Sequence, residues 1–376
     1  MINQARMLNT LRREGIEFFV GVPDSYLNGF CNYLLEKVPE KNHMVAANEG
    51  NAIGIAAGYY FSTNKVPLVY MQNSGMGNAF NPIASLVDKN VYSVPLILLI
   101  GWRGEPGTGD WPQHKTQGEV TTKLLEILHI PYVVAEDNDD LLEDQIKWAV
   151  RLARISKGPV DVIAKKGVFA GGKKSNIPDD RYPLSREEAI EVILDTLPED
   201  TVYVATTGRA TRELYFLRER RKEGHEHDFL NVGAMGHASS VALGLAASNR
   251  ARQVVCLDGD CSALMHMGAF SMVSKMDVPN LMHVVLNNGA HESVGGQPSA
   301  GYFVDFTCIA KGAGYTTSDS YVSLGDELAD TVNRLVGEKK ASFIEVRIHK
   351  GLRGDLPPLK ISHHDLIQEL MEELQR

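Results

Sequence analysis

The segment QVVCLDGDCSALMHMG, residues 253–268, combines the signals of a strand, a turn and a helix. Its apolar beginning predicts a buried strand, and Gly259 predicts a turn where that strand ends. Apolar residues after the turn recur at helical spacing, so a helix should follow directly. Asp258 and Asp260 lie on either side of the glycine. The start of a helix presents free N–H groups and the positive end of its dipole, which suits a phosphate group.

The same alternation of short apolar runs and helical patterns extends through both halves of the chain. Because the segments between the runs are long enough for helices, the pattern predicts parallel sheets covered by helices on both faces. The predicted fold class is α/β, with one doubly wound parallel-sheet domain in each half and no middle domain. The predicted strands are FFVGV (18–22), PLVYM (67–71), VPLILLI (94–100), PYVVA (131–135), PVDVIA (159–164), TVYVAT (201–206), QVVCLD (253–258), LMHVVLN (281–287) and SFIEVRI (342–348).

The alternation breaks at KKGVFAGGKKSNIPDDRYPLS, residues 165–185, which is rich in Gly, Pro, Lys and Asp. This composition is typical of a linker. The expected organisation is therefore a domain over 1–165, a linker over 166–184 and a second domain over 185–376. Gly167 to Lys173 also matches the first part of a phosphate-binding P-loop, but Lys174 stands where that motif needs Ser or Thr. A flexible basic linker is the preferred interpretation.

Composition excludes several classes of function. The 376 residues carry a net charge of −9, which argues against nucleic acid as a partner. The N-terminal segment lacks the apolar core of a signal peptide, and no run of 18 apolar residues occurs, so no membrane association is expected. The four cysteines form no CxxC pair. We expect a protein of the reducing cytoplasm.

A second polar turn follows the next predicted strand. LMHVVL runs into NNGAHESVGGQ, residues 287–297, where side-chain amides and backbone carbonyls could complete an oxygen cage around Mg²⁺. One such turn would be ordinary, since Asp, Asn and Gly are common in turns. Two polar turns at the ends of successive strands favour a binding site.

Together, GD after one apolar strand and NN after the next resemble the signature of the thiamine diphosphate-dependent decarboxylase family. This resemblance implies that thiamine diphosphate and Mg²⁺ are the cofactors. It implies that Asp260, Asn288 and the backbone carbonyl of Ala290 hold the metal. Asp258 would then be a strand-end residue, and the alternative register makes Asp258 the ligand instead. Cys261 departs from the family pattern, which has a small residue at that position.

Further motifs resemble other parts of the cofactor site in this family. NVGAMGHASS (231–240) resembles the segment that supports the bent cofactor, with Met235 beneath it, although a buried core methionine is the commoner role. TTGRATREL (206–214) resembles a turn near the diphosphate. ANEGNAIG (47–54) resembles the turn whose glutamate, Glu49, hydrogen-bonds the aminopyrimidine ring. The resemblance assigns cofactor contacts to Glu49, Ser74, Gly75, Gly208, Met235, Gly236, Gly259, Ser262 and His291, with Arg209 a further candidate near the diphosphate.

Three stretches are most similar to decarboxylases of 3-phosphonopyruvate: GVPDSYLNGFC (21–31), GWRGEPGTGDWPQHKTQGE (101–119) and VLNNGAHESVGGQPS (285–299). They imply decarboxylation to phosphonoacetaldehyde and CO₂, a step of phosphonate biosynthesis. Trp111 departs from the acidic residue expected there. Sulfopyruvate decarboxylase, or a synthase of the same family, is the first alternative. A non-catalytic protein that keeps the fold is the second.

Candidate residues for the small anionic 2-keto acid follow from charge. Arginine suits a phosphonate because its fork donates two parallel hydrogen bonds. Asp24 and Ser25 could equally be a helix cap. Substrate contacts are predicted for Asp24, Ser25, Arg103, His114 and His291, with Lys115 more consistent with an exposed loop cation. Catalytic roles are predicted for Glu49, Asp24, Ser25 and His114, with His237 and Glu292 as further acid–base candidates. The resemblance also implies a homodimer or higher oligomer with cofactor sites between subunits.

Overall fold

In the computed structural model, the described residues are 2–169, 181–351, 353–356 and 359–376. They divide into two compact units. Unit 1 comprises Met1–Asn176 with Ser293–Pro298, and unit 2 comprises Ile177–Glu292 with Ser299–Arg376. Much of the predicted 166–184 linker, including most of the P-loop-like segment 167–173, lies outside the described residues, so its boundaries stay a prediction.

Unit 1 contains a six-stranded sheet in the order β2-β1-β3-β4-β6-β5, in which every described pair is parallel. Its strands are β1 (Phe19–Gly21), β2 (His43–Val45), β3 (Leu68–Gln72), β4 (Leu96–Gly101), β5 (Tyr132–Val134) and β6 (Pro159–Ala164). Its helices are α1 (Gln4–Arg13), α2 (Asn28–Lys37), α3 (Glu49–Thr63), α4 (Met76–Ala84), α5 (Pro112–Ile127) and α6 (Asp139–Ser156).

Unit 2 contains a second six-stranded sheet in the order β13-β14-β10-β9-β7-β8, again with parallel pairs. The strands of this part of the chain are β7 (Val202–Ala205), β8 (Asp228–Leu230), β9 (Val254–Gly259), β10 (Leu281–Asn287), the two-residue β11 (Ala290–His291) and β12 (Gln297–Pro298), β13 (Thr316–Thr317) and β14 (Ser342–Arg347). Its helices are α7 (Arg186–Thr196), α8 (Arg209–Arg221), α9 (Ala238–Ser248), α10 (Asp260–Met265), α11 (Phe270–Met276), α12 (Phe306–Gly312), α13 (Gly325–Leu335) and α14 (His363–Leu374).

Each sheet has a separate apolar core on each face. Along β4, Ile97 and Leu99 point into one core while Leu96, Leu98 and Ile100 point into the other. This two-sided burial explains why the central strands are continuous apolar runs rather than alternating ones. The predicted α/β class with two doubly wound parallel sheets is confirmed.

The strands that no apolar run predicted lie at sheet edges. β8 and β13 have only three and two residues, so neither is long enough to show an apolar pattern. In β8 the first residue is a buried acid: Asp228 accepts two hydrogen bonds from Arg218, at 3.1 and 3.0 Å. This buried ion pair joins β8 to α8. A strand that begins with a buried acid lacks the apolar run from which strands are predicted.

Candidate active site

The carboxyl end of the unit 1 sheet holds Glu49, the first residue of α3. Its carboxylate is buried, and its Oε2 accepts a hydrogen bond from Asn78 Nδ2 at 2.7 Å. Burial raises the pKa of Glu49 above its ordinary value because the charged form loses its water. A buried glutamate that retains its proton more readily than a surface one is suited to hydrogen bonding with a ring nitrogen.

Gly75 closes the space beside Glu49. A Cβ built on Gly75 would overlap the Glu49 carboxylate, so no larger residue fits without displacing it. Ser74, the preceding residue, is exposed and accepts a hydrogen bond from Gln72 Nε2. The structure therefore places the predicted residues Ser74 and Gly75 in the turn after β3, with Gly75 packed directly against Glu49.

A second carboxylate of unit 1, Asp24, lies in the turn after β1. It is fully buried, its Oδ2 accepts the Tyr26 N–H at 2.9 Å, and its Oδ1 has no hydrogen-bond partner among the described residues. Gly101 at the end of β4 allows this approach, since a Cβ there would overlap Asp24 Oδ2. Burial raises the pKa of Asp24 to about 6, only partly offset by the nearby N–H groups and Arg103.

Arg103 connects the turn after β1 to the loop after β4. Its Nη1 donates to Ser25 Oγ at 3.0 Å, and its guanidinium lies 4.8 Å from the centre of the Tyr26 ring. Its Nε and Nη2 both donate to Asp110. The pKa of Asp110 falls well below its ordinary value because Arg103 and two backbone N–H groups, although opposed by burial, favour the carboxylate.

These residues line a pocket of about 680 Å³ in unit 1. The pocket is formed by residues that follow β1, β4 and β6, which all end at the same edge of the parallel sheet. That edge is where open α/β sheets bind their ligands. Its lining residues are Ser25, Tyr26, Arg103, Gly109, Asp110, Trp111, Lys166, Gly167 and Phe169.

His114 and Trp111 lie at the start of α5. Trp111 is half-exposed and lines the pocket, and its backbone N–H donates to Asp110 Oδ1. His114 is partly buried, its Nδ1 has no hydrogen-bond partner among the described residues, and burial together with Arg103 lowers its pKa. A lowered pKa favours the neutral imidazole of His114, and Lys115 beside it is exposed.

In unit 2 the two aspartates of the opening segment have different surroundings. Asp258 uses Oδ1 to accept its neighbouring Gly259 N–H at 2.9 Å, and its Oδ2 lies 3.2 Å from His283 Nε2. Together with Cys256 these side chains form a buried group whose ligand atoms all lie within 4.8 Å of one another. Cysteine and histidine suit softer metals than Mg²⁺, and both oxygens of Asp258 are already engaged.

Asp260 lies at the start of α10 and is buried. Its Oδ2 accepts a hydrogen bond from the Ser299 hydroxyl, and Ser299 Oγ in turn accepts the Gly301 N–H at 3.0 Å. Burial raises the pKa of Asp260 to about 6, because the Ser299 hydroxyl and the nearby backbone N–H groups only partly replace its lost hydration. A buried carboxylate in this condition would be stabilised by a cation.

Asn288 follows β10. Its Nδ2 donates to Glu292 Oε2 at 2.9 Å and its Oδ1 accepts the Ala290 N–H at 3.1 Å. The preceding Asn287 is fully buried, and its NH₂ group donates to Gly301 O and to Glu345. Its side chain is therefore already hydrogen-bonded inside unit 2. Of the two adjacent asparagines, Asn288 is the one suited to a ligand.

The remaining predicted residues of unit 2 surround Ser262. Ser262 Oγ accepts the Gly236 N–H at 3.1 Å and lies 3.0 Å from the Thr206 hydroxyl, so one buried hydroxyl joins the turns after β7, β8 and β9.

Gly236 has φ 88°, and a Cβ there would crowd Met265 and His266. Gly208 has φ 108° and precedes α8 without a capping side chain. Met235 is half-buried in the same loop as Gly236.

Three further residues discussed from the sequence have environments that restrict their roles: His291, Cys261 and His237. Burial lowers the pKa of His291 to about 4, so it would contact a ligand as a neutral group and not as the cation expected from charge alone. Cys261 is helical, its Sγ lies 3.7 Å from Asp260 Oδ2, and burial raises its thiol pKa far above the ordinary value. A thiol that holds its proton this tightly is a weak nucleophile. His237 is exposed and stacks on His266 at 4.4 Å.

Comparison with known proteins accounts for both halves of the chain. The domain family described as "Thiamine pyrophosphate enzyme, N-terminal TPP binding domain" matches residues 4–125, and the "C-terminal TPP binding domain" family matches residues 206–346. A phosphonopyruvate decarboxylase of Streptomyces hygroscopicus is 32% identical over 99% of this chain and 94% of its own length. The chain belongs to the thiamine diphosphate-dependent decarboxylases. The predicted family and enzyme class are confirmed.

Two further members of this decarboxylase family match most of the chain. The phosphonopyruvate decarboxylase of Streptomyces viridochromogenes is 31% identical over 96% of this chain and 92% of its own length. The sulfopyruvate decarboxylase of Methanosarcina acetivorans is 26% identical over 99% of this chain and 97% of its own length. Among the described residues, no helix has the length and apolar character needed to cross a bilayer.

The residues present fit the cofactor of a thiamine diphosphate-dependent decarboxylase. In unit 1, Gly75 leaves room for the Glu49 carboxylate at the sheet edge. In unit 2, Gly208 precedes the 13-residue α8 and provides no capping side chain, so the N–H groups at the start of α8 suit a diphosphate. Asp260 is a buried acid without a cationic partner among the described hydrogen bonds. We call the surroundings of Glu49 and Gly75 the Glu49 cradle, and the surroundings of Gly208 and Asp260 the Asp260 cradle. The first lies in unit 1 and the second in unit 2.

Sequence reasoning missed several residues that support these cradles. Asp110 lies within a quoted segment, but nothing in its spacing from Arg103 predicts a bidentate pair. Ser299 and Asn78 are 39 and 29 residues from the carboxylates they contact. Only the fold brings such pairs together, so no local sequence signal could have identified them.

Proposed function

We propose that this decarboxylase converts 3-phosphonopyruvate to phosphonoacetaldehyde and CO₂ with thiamine diphosphate and Mg²⁺. The observation that carries the proposal is the unit 1 pocket, where Arg103 is oriented between Ser25 and Asp110. Lys166 is a second cation in its lining. Asp110 occupies Nε and Nη2 of Arg103, so Nη1 and Lys166 are the cationic groups of the lining that would face the second anionic group of a small keto acid. Identities of 32% and 31% to two phosphonopyruvate decarboxylases support the same substrate.

When bound, thiamine diphosphate supplies the electron sink for loss of CO₂ from a 2-oxo acid. The chain contributes binding, orientation and proton handling. Glu49, buried and held by Asn78, would hydrogen-bond the cofactor ring. Asp24, with a pKa of about 6, could hold or release a proton near neutral pH at the edge where Ser25 and Arg103 bind substrate.

Asp260, Asn288 and the carbonyl of Ala290 would hold Mg²⁺ in unit 2. The different surroundings of the two aspartates support this assignment, since Asp258 already interacts with His283 and Gly259. Titration of Mg²⁺ at saturating thiamine diphosphate, followed by calorimetry, tests it. Asp260→Ala should lose Mg²⁺-dependent cofactor binding, whereas Asp258→Ala should largely keep it. The reverse result would assign the metal to Asp258.

Sulfopyruvate is the second candidate substrate, favoured by the 26% identity to a sulfopyruvate decarboxylase over 99% of the chain. A competition experiment separates the two. The enzyme receives equal concentrations of both keto acids, and the two aldehydes are trapped and quantified. Excess phosphonoacetaldehyde supports the proposal, and excess sulfoacetaldehyde contradicts it.

We further propose that the active unit is at least a homodimer, in which the Glu49 cradle of one chain meets the Asp260 cradle of another. The proposal follows from the placement of the two cradles in different units and from the resemblance to the family. Sedimentation of the holoenzyme should give at least twice the mass of a 41.4 kDa chain. A fully active monomer would contradict it.

A further inference from the structure

Glu292 is a largely buried carboxylate of unit 2 that contacts Asn288, a predicted metal ligand. Its side chain is only 11% exposed. Its Oε2 accepts from Asn288 Nδ2 at 2.9 Å and also from the Arg186 guanidinium, and its Oε1 accepts the Gly351 N–H at 2.6 Å. Three donors therefore converge on one carboxylate, which fixes it in place.

An asparagine side chain has two ends of nearly equal shape but opposite chemistry. A metal ligand must present Oδ1, because the NH₂ end has no lone pair to offer. The carboxylate of Glu292 can only accept hydrogen bonds, so it selects the NH₂ end of Asn288. Oδ1 is then held on the other side, where the Ala290 N–H also reaches it.

We propose that Glu292 is a positioning residue that orients Asn288 as a metal ligand. This inference rests on the proposed function, in which Asn288 holds Mg²⁺. Arg186 holds the Glu292 carboxylate in place. Its side chain is 9% exposed and lies against both Glu292 and Glu213. Partners of this kind orient metal ligands, and their loss commonly weakens metal affinity.

Glu213 provides a matched control. Its Oε1 lies 3.5 Å from Arg186 Nη1, and its side chain is 4% exposed, but no hydrogen bond described for it reaches Asn288. Glu292→Gln and Glu213→Gln each remove one negative charge beside the same arginine. Only Glu292→Gln replaces one of the two acceptor oxygens beside Asn288 with an NH₂ donor, so the side chain at 292 no longer requires the NH₂ end of Asn288.

The test is a Mg²⁺ titration of the full-length protein at saturating thiamine diphosphate, read by calorimetry and by the thermal unfolding midpoint. Glu292→Gln should raise the half-saturating Mg²⁺ concentration roughly 10–100-fold. Its kcat should recover at high Mg²⁺, because a positioning residue does not touch substrate. A kcat that stays low at saturating Mg²⁺ would instead support the acid–base role considered for Glu292 from the sequence and would contradict the positioning role. Glu213→Gln should keep a half-saturating concentration close to that of the wild type. An unchanged value in Glu292→Gln, or an equal shift in both variants, would overturn the inference.

A swapped pair separates positioning from simple loss of stability. Asn288→Asp alone would place two carboxylates against each other and should weaken Mg²⁺ binding. Combined with Glu292→Gln, the new amide can donate to the new carboxylate, so the double variant should bind Mg²⁺ more tightly than either single variant. If the loss of Mg²⁺ affinity in the double variant equals the sum of the losses in the two single variants, the inference is overturned, even if Glu292→Gln alone folds poorly. If the wild type itself shows no response to Mg²⁺, the proposed metal site fails first and the inference falls with it.

Discussion

The guanidinium group of Arg103 donates two parallel hydrogen bonds to the carboxylate of Asp110, from Nε at 2.8 Å and from Nη2 at 2.6 Å. Both side chains are largely buried, so the pair is held in one geometry. The remaining Nη1 reaches Ser25. Asp110 therefore positions Arg103 in the proposed substrate pocket while balancing its charge.

Arg103→Lys tests this geometry. Lysine keeps the positive charge but cannot make the two parallel hydrogen bonds, so the side chain is no longer fixed toward Ser25. We expect KM for phosphonopyruvate to rise about 10-fold with a smaller change in kcat. Lys123→Ala, which removes an exposed cation from α5, is the control and should leave KM near the wild-type value. An unchanged KM in Arg103→Lys would contradict the assignment, because it would show that the positive charge alone is sufficient at this position.

Gly75→Ala tests the packing against Glu49. The added methyl group would overlap the Glu49 carboxylate, so either the glutamate or the turn after β3 must move. Thiamine diphosphate affinity should fall and the unfolding midpoint should drop by several degrees, corresponding to about 1–3 kcal/mol of overpacking.

Gly77→Ala is the matched control, since nothing lies within 4 Å of a Cβ at that position and Gly77 is helical. Alanine favours a helix over glycine by roughly 0.5–1 kcal/mol, so this variant should be slightly more stable and bind cofactor normally. Normal cofactor binding by Gly75→Ala would contradict the placement of Glu49.

Asp24 gives a pH dependence of stability with a defined sign. Its pKa is raised from 3.8 to about 6 in the folded protein, so the folded state binds this proton more tightly than the unfolded state does. Stability is therefore lost as the pH rises from about 4 through about 6. Asp24→Asn removes this loss.

The free energy of unfolding of Asp24→Asn, relative to wild type, should increase between about pH 4 and pH 7.5 by on the order of 2 kcal/mol. Decarboxylation should fall in the same variant if Asp24 handles a proton. Chemical denaturation at several pH values measures the first effect. A pH-independent difference would show that Asp24 titrates normally.

Much of the fold could be predicted because the buried strands of both sheets are continuous apolar runs, as in LILLIG of β4. The turn that holds Asp258 and Asp260 could be located because a strand, a glycine and a helical pattern surround it, whereas the choice of Asp260 as the ligand depends on the resemblance to the family signature. Pairs such as Arg103 with Asp110 and Ser299 with Asp260 could not be predicted, since loop conformation alone brings them together. The neutral state of His291 also depends on burial, which the sequence does not reveal.

Mixing two inactive variants tests the proposed assembly. Glu49→Gln removes one cradle and Asp260→Ala removes the other, so each alone should be inactive. If cofactor sites form between two chains, a mixed dimer contains one intact site. Co-expression should restore about a quarter of the wild-type activity when chains associate at random. No recovery in mixtures shown to contain mixed dimers would place both cradles of one site in the same chain.

Release of CO₂ from phosphonopyruvate tests the central claim most directly. Purified protein with thiamine diphosphate and Mg²⁺ should release one CO₂ for each phosphonoacetaldehyde formed. Omitting either cofactor, or replacing Glu49 with Gln, should reduce the rate by at least about 100-fold. Absence of phosphonopyruvate-dependent CO₂ from cofactor-saturated wild-type protein, or an undiminished rate in Glu49→Gln, would contradict the account.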